Sequence, residues 1–413
     1  MRNNKQIVFI VSYSAVMLYK MSKIFRKKGY ETVLIRMFKP ISSDMEFYKD
    51  GYDKIIDFNI LYFKPSLKNF FLTLSLLIKN LFSFLFALSQ TLRLKPYVIL
   101  GRANPNIMTA FFRIIFLKTP FIYFPYDIHA HWASNYEEAK IRGISFFEIK
   151  AERFCFEHSE GVMHKGAPEE LNYINGRILG DNIKLPKFII NFYPYCAEEF
   201  IVPINKNKLS KKDKEIHLVF VASAGKQSKE NYVYRLKECK YFLEQKIHIH
   251  LYLSSNTVCD EEYEKKLFFE EYKNYPNIKY FHIESSLDPK SLNKEISKYD
   301  FGISPHFAKF YKFDLDRRFF MGNKVATYLE AGISFFYRKD NLFVDRLMKK
   351  YKLNLNYPKS MKKFKETIKK LNYTEIEKNI IKARQDYLME KHFPRLEEFI
   401  KKVVGKKTKR FLN

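Results

Sequence analysis

Residues 6–13 read as a largely apolar strand, residues 15–28 carry apolar side chains at helical spacing, and residues 31–37 read as a second strand. Gly29 stands between helix and second strand, where a left-handed residue ends a helix. A strand that is apolar on both faces must be covered on both faces. Strand, helix and strand in that order make a βαβ unit, which commits its surroundings to a parallel sheet held between helices. The pattern recurs. Further strands are expected at 95–100, 120–125, 161–164 and 188–191, and then at 216–221, 247–253, 278–283, 301–304 and 333–337, with helical segments between them. The loop after the first strand reads Ser12-Tyr13-Ser14-Ala15 and lacks the Gly-x-Gly-x-x-Gly fingerprint, which argues against a nicotinamide-dependent dehydrogenase.

A chain of 413 residues is long for one core, so two α/β domains are expected. The polar, Lys-rich stretch 198–215 reads as the linker, placing a first domain at 1–200 and a second at 201–384. The net charge is +28, from 73 basic and 45 acidic residues. That excess suits phosphorylated ligands, nucleic acid or an anionic membrane surface, but no nucleic-acid motif accompanies it. Cys155, Cys196, Cys239 and Cys259 show no Cys-x-x-Cys or metal spacing, which suits a reducing compartment and no disulfide framework. Residues 7–13 are followed by a run of lysines and arginines with no small-residue cleavage site, so they read as a strand and not a signal peptide. Residues 69–92 form the longest apolar stretch, with Lys79 inside it and a narrow polar stripe. Its expected place is a helix partly buried in the first domain, with membrane contact through one face the second choice and a true span the third. The basic tail at 406–410 is expected outside the fold, where it can touch acidic lipid.

Residues 317–337 carry the main chemical signal. Asn323 or Gly322 starts a short helix, Gly332 ends it, and an apolar strand follows. Asn323, Thr327 and Glu330 recur at i, i+4 and i+7 and share one face. Lys324 in the first turn and Glu330 in the last both oppose the helix dipole, so each calls for a partner from elsewhere. A diphosphate would answer the first turn, held by backbone N–H groups, Lys324, Arg317 and Arg318. Thr327 or Glu330 would then hold a ribose or sugar hydroxyl. A surface helix with solvated charges is the plain alternative.

The sequence Asn323-Lys324-x-x-x-Tyr328-Leu329-x-Ala331-Gly332, followed by an apolar strand, resembles the donor-site segment of GT-B glycosyltransferases, especially family 4. Many members of that family carry two glutamates eight positions apart, the second five residues before the glycine. Here those places hold Phe319 and Thr327, so the family's carboxylate roles have no direct counterpart. The order of elements around Glu148, Glu152, Arg153, Gly161 and Asn191 also resembles the end of a family 4 N-terminal domain. The resemblance implies two Rossmann-like α/β/α domains facing across a cleft, with a last helix at about 385–405 returning to the first domain. It further implies a nucleotide-sugar substrate and no separate cofactor.

Other candidate residues fall at strand ends. Asp127 and His129 follow the strand at 120–125 and are candidates for a general base or an acceptor-orienting pair. Asp127, His129 and His131 are a weak metal set, and no metal is expected. Gly225, Lys226 and Lys229 follow the strand at 216–221 in a small-residue loop suited to phosphate. His306 follows the strand at 301–304, next to the loop that leads into the helix. Together these readings point to a glycosyltransferase. It would move a sugar from a nucleotide-diphosphate donor to a bacterial capsule, lipopolysaccharide or lipid-linked acceptor, in the cytoplasm or peripherally at the inner membrane face. The alternatives are a nucleotide-sugar epimerase, a glycerophosphate or phosphosugar transferase, and a non-enzymatic basic protein that binds membrane or polyanions.

Overall fold

β1 (Gln6–Val11) lies between β2 (Glu31–Phe38) and β4 (Val98–Arg102), and that central place of the first strand sets the first topology. With β3 (Lys54–Ile60), β5 (Phe121–Phe124), β6 (Gly161–His164) and β7 (Phe188–Asn191), the sheet runs β3-β2-β1-β4-β5-β6-β7, parallel throughout. Chain order steps outward from β1 to β3, then jumps to β4 on the other side. The order therefore reverses between β1 and β4. The computed structural model describes residues 5–11, 15–38, 47–60, 70–102, 105–126, 128, 135–141, 144–175, 184–223, 229–254, 261–304, 319 and 321–412.

The second sheet repeats the scheme. β8 (His217–Ser223) is central in the order β10 (Phe281–Glu284)-β9 (His248–Ser254)-β8-β11 (Phe301–Ile303)-β12 (Phe335–Phe336), again all parallel. The order reverses between β8 and β11. The chain divides into two units, Met1–Tyr193 with His392–Asn413, and Pro194–Lys391.

Burial explains why the strands read as continuous apolar runs. Ile7, Val8, Phe9, Ile10 and Val11 are each at most 1% exposed, because helices cover both faces of β1. One core of the first unit joins Val8, Ile10, Val33, Ile35, Phe58, Ile99 and Phe112. The helix Phe70–Leu92 adds Ala87 to this core and lays Phe84 against Phe58, with ring centres 5.3 Å apart. Its other side presents Leu81, Phe82, Leu85 and Phe86 to solvent.

Several sequence expectations change in the structure. The stretch 198–215 is part of the second unit and is tied down along its length. Arg384 Nη1 donates to Val202 O at 2.7 Å, and half-buried Lys208 Nζ donates to Ser297 O at 2.8 Å and Tyr299 O at 3.0 Å. Those long cationic side chains turn a Lys-rich stretch into an anchored one. The basic tail is helical, because the helix Met389–Leu412 continues through it and Lys407 is buried against Glu160. Glu160 also takes Arg113 Nη2 at 2.9 Å and Phe121 N at 2.9 Å, so this carboxylate is enclosed and fully bonded. Glu148, which reads as a surface charge, instead caps the helix Asn106–Ile115, accepting from Asn106 N at 2.5 Å and Ile107 N at 3.3 Å. Pro105 has no side-chain oxygen to do this, so a carboxylate from the helix Phe146–His158 takes the place of a local cap.

Candidate functional site

Ligands of open parallel sheets sit beyond the carboxyl ends of the strands, where the strand order reverses. In the second unit that place lies between β8 and β11. These strands pair only at Phe301↔Leu218 and Gly302↔Val219. Past that pairing the gap is bridged by Tyr328. Its hydroxyl lies 3.0 Å from Ile303 O and 3.3 Å from Val219 O and accepts from Val221 N at 3.2 Å. Burial pushes its phenol well up, so it stays protonated and can donate. Gly302 makes room for the ring, since a Cβ there would meet Tyr328 Cε1 at 2.6 Å. The helix Lys324–Glu330 is thus locked onto the reversal point by its own central side chain. Gly332, at φ +74°, ends the helix as the sequence predicts.

Lys324 opens that helix. Its Nζ lies 5.1 Å from the ring centre of Phe220 on β8. Arg235, on the helix Lys229–Leu243, holds its guanidinium 5.2 Å from the same ring. Phe220 is fully buried, so two cations meet one apolar ring. Arg235 pairs with Glu238 at 2.6 Å, and among the described residues no carboxylate forms an ion pair with Lys324. Burial, with Arg235 adding to it and Glu238 opposing, brings the Lys324 ammonium down to about 8. A cation held partly out of water beside a second cation gains when an anion arrives.

The other candidates in this unit fall in different places. Asn323 takes the N-cap position, but its backbone is helical and its side chain makes no capping bond. Thr327 Oγ1 donates to Asn323 O at 3.2 Å, and both residues remain half-buried. Glu330 is 1% exposed. Its Oε1 accepts from Ala197 N at 2.8 Å and its Oε2 from Asn293 Nδ2 at 3.0 Å. Seven residues along a helix is about 10 Å of axial rise, so Glu330 lies far from the first turn and meets the segment 197–202. There it serves the interior instead of presenting a carboxylate to solvent. Lys229 pairs on the surface with Glu271 at 2.5 Å. Asp127, His129, Gly225, Lys226, His306, Arg317 and Arg318 lie outside the described residues.

In the first unit, the carboxyl strand ends gather a group that the sequence reading passed over. Tyr126, just after β5, has the Arg102 guanidinium 4.1 Å from its ring centre and Lys165 Nζ 3.5 Å from it. Arg102 is the last residue of β4, and Lys165 directly follows β6. Beside them, buried His164 Nε2 meets Glu170 at 2.5 Å, and His164 Nδ1 faces Asn191 Nδ2 at 3.2 Å. The asparagine amide donates, so Nδ1 accepts and Nε2 carries the proton toward Glu170. The available signal was positional: a polar or charged residue at the last place of an apolar strand.

No known family model matches the chain, and no curated protein sequence matches it. Solved structures do. Sucrose-phosphate synthase from Thermosynechococcus elongatus superposes with a TM-score of 0.64 at 10% identity, covering 98% of this chain and 100% of its own. Anabaena HepE in complex with UDP and glucose gives 0.57 at 10% identity, covering 99% of each chain. A glycosyltransferase from Rickettsia africae gives 0.56 at 11% identity, covering 97% of this chain and 99% of its own. The fold is that of the GT-B glycosyltransferases, built from two Rossmann-like α/β domains.

Proposed function

We propose that this chain transfers a sugar from a nucleotide-diphosphate donor to a bacterial surface glycan or lipid-linked acceptor, in the manner of family 4 enzymes. The observation that carries the reading is the cation pair Lys324 and Arg235 on Phe220, beside the strand-order reversal of the second unit. A leaving diphosphate builds negative charge in the transition state, and fixed cations in a poorly hydrated site stabilise it without reorganising. On this reading Lys324, Asn323 and Thr327 form the donor side, joined by Arg317, Arg318, Gly225, Lys226 and His306. Asp127 and His129, next to Tyr126, act on the acceptor. The reading needs no metal, because side-chain cations neutralise the phosphates. HepE, a protein of this fold, has been solved with UDP and glucose, which supports a uridine donor as the first to try. The test is a melting-temperature screen of the purified protein against a panel of nucleotide sugars. A concentration-dependent rise with one donor, lost in Lys324→Ala, is expected; no shift with any donor would end the proposal.

A lipid-linked acceptor fits a second observation. Among the described residues no helix is long and apolar enough to cross a membrane. The helix Phe70–Leu92 nevertheless leaves Phe82 68% and Phe86 67% exposed, beside Leu81 and Leu85. Apolar side chains grouped on one face of a basic protein suit peripheral contact with an anionic bilayer at the cytoplasmic face. Flotation with anionic vesicles should retain the native protein and lose the Phe82→Ser/Phe86→Ser variant.

A further inference from the structure

The amino-terminal end of the second sheet carries chemistry that sugar transfer does not use. His217 opens β8 and His248 opens β9, side by side in register. His250 follows two residues later on the same face, and His282 on β10 pairs with it. The four rings form two stacks, His217 on His248 and His250 on His282, each with centres 4.4 Å apart. His217, His248 and His250 each offer one ring nitrogen such that the three lie within 4.8 Å of one another.

What sets this group apart is the other nitrogen of each ring. His217 Nε2 meets Asp213 at 2.8 Å, His250 Nδ1 meets Glu284 at 2.7 Å, and His248 Nε2 meets Glu215. In a singly protonated ring, a carboxylate that accepts from the outer nitrogen leaves the lone pair on the inner one. His217 Nδ1 and His250 Nε2 then face each other at 3.0 Å. At that distance the two nitrogens share either a proton or, once both lone pairs are free, a bound cation. The separation is close to the edge of a tetrahedron of imidazole nitrogens around zinc, about 3.3 Å for bonds of about 2.0–2.1 Å. His282 Nε2, 2.8 Å from His248 Nδ1, is placed to become a fourth ligand. Three carboxylates behind three imidazoles also make a local negative field in a chain of net charge +28.

We propose that His217, His248 and His250, with His282 at the fourth position, bind one borderline divalent cation of the zinc type. Imidazole donors favour such an ion over magnesium or calcium. The ion would clip β8, β9 and β10 together at the end of the sheet opposite the strand-order reversal. It is a structural site, and it stands whether or not the chain transfers sugars.

The test uses the full chain with any affinity tag removed, stripped with chelator and titrated calorimetrically with zinc chloride. One equivalent should bind with a dissociation constant below about 1 µM and raise the melting temperature, while magnesium chloride does neither. His217→Asn/His250→Asn should weaken zinc binding at least about 100-fold. Glu284→Gln, which leaves all the ligands in place, should weaken it about 10–100-fold. Glu284 is partly exposed, so this second variant remains informative if the double variant does not fold. Absence of a stoichiometric zinc site in the native chain would overturn the proposal. So would undiminished binding by both variants.

Discussion

Each unit gathers two cations on one aromatic ring, yet the two clusters are built differently. In the first unit Tyr126 meets Arg102 and Lys165, and a buried His164–Glu170 pair stands beside it. In the second, Phe220 meets Arg235 and Lys324, and the carboxylate of Glu238 is bonded to Arg235. The first cluster has a phenol, an imidazole and a carboxylate, groups that hold or pass protons. The second has a ring with no polar atom and an excess of positive charge. On the function proposed above, the difference would give proton handling to the first unit and anion binding to the second. It can be tested by removing one group from each.

The largest effect is expected at Lys324. Lys324→Met keeps the length of the side chain and removes its charge, so donor affinity should fall about 10–100-fold by calorimetry, as for the loss of a charge-assisted hydrogen bond. In the first unit, Glu170→Gln removes the charge behind His164. Turnover should fall about tenfold with donor affinity unchanged. If Glu170→Gln weakened donor binding as much as Lys324→Met does, the division of labour would be lost.

The titration of Lys324 sharpens the contrast, because it moves two measurements in opposite directions. Burial holds the ammonium near 8 in the folded protein, against an ordinary value of 10.5. Between those pH values the unfolded chain binds more protons than the folded one, so this residue makes the fold more stable as pH rises. Over the same range the free site loses its charge, and donor affinity should fall by up to about tenfold per pH unit. Lys324→Met should flatten both profiles. A native affinity that holds level from pH 7 to 10 would show that Lys324 does not meet the phosphates.

The alternating pattern of apolar strand and amphipathic helix was enough to place nearly every strand, because a parallel strand buried on both faces has a strong local signature. β3, with Lys54, Asp57 and Asn59 among its residues, escaped because an edge strand is covered less completely. The turn at Gly332 was legible because positive φ demands glycine. The fate of Glu330 was not, since helical spacing gives the face of a residue but not the segment that comes to meet it. Arg102, Lys165 and His164 were passed over for the same reason: each is one polar residue at a strand end, and only the sheet brings them together. The histidines at 217, 248, 250 and 282 lie on three strands, and no local spacing joins them.

The smallest effect is expected at Tyr328, which separates scaffold from chemistry in the donor motif. Its hydroxyl touches β8 and β11 and is fully buried, so Tyr328→Phe should cost about 1–2 kcal/mol by chemical denaturation, the usual loss of a buried hydrogen-bonded group. The ring stays and keeps its packing over Gly302 and against Phe335, so the helix should hold its place. Donor affinity should therefore change far less than in Lys324→Met. If Tyr328→Phe instead abolished donor binding while the fold melted normally, the hydroxyl would belong to the site and not to the bridge. The tyrosine in this donor-like motif would then be read as a ligand contact, and the contrast between the two clusters would have to be drawn again from Tyr126 and Tyr328.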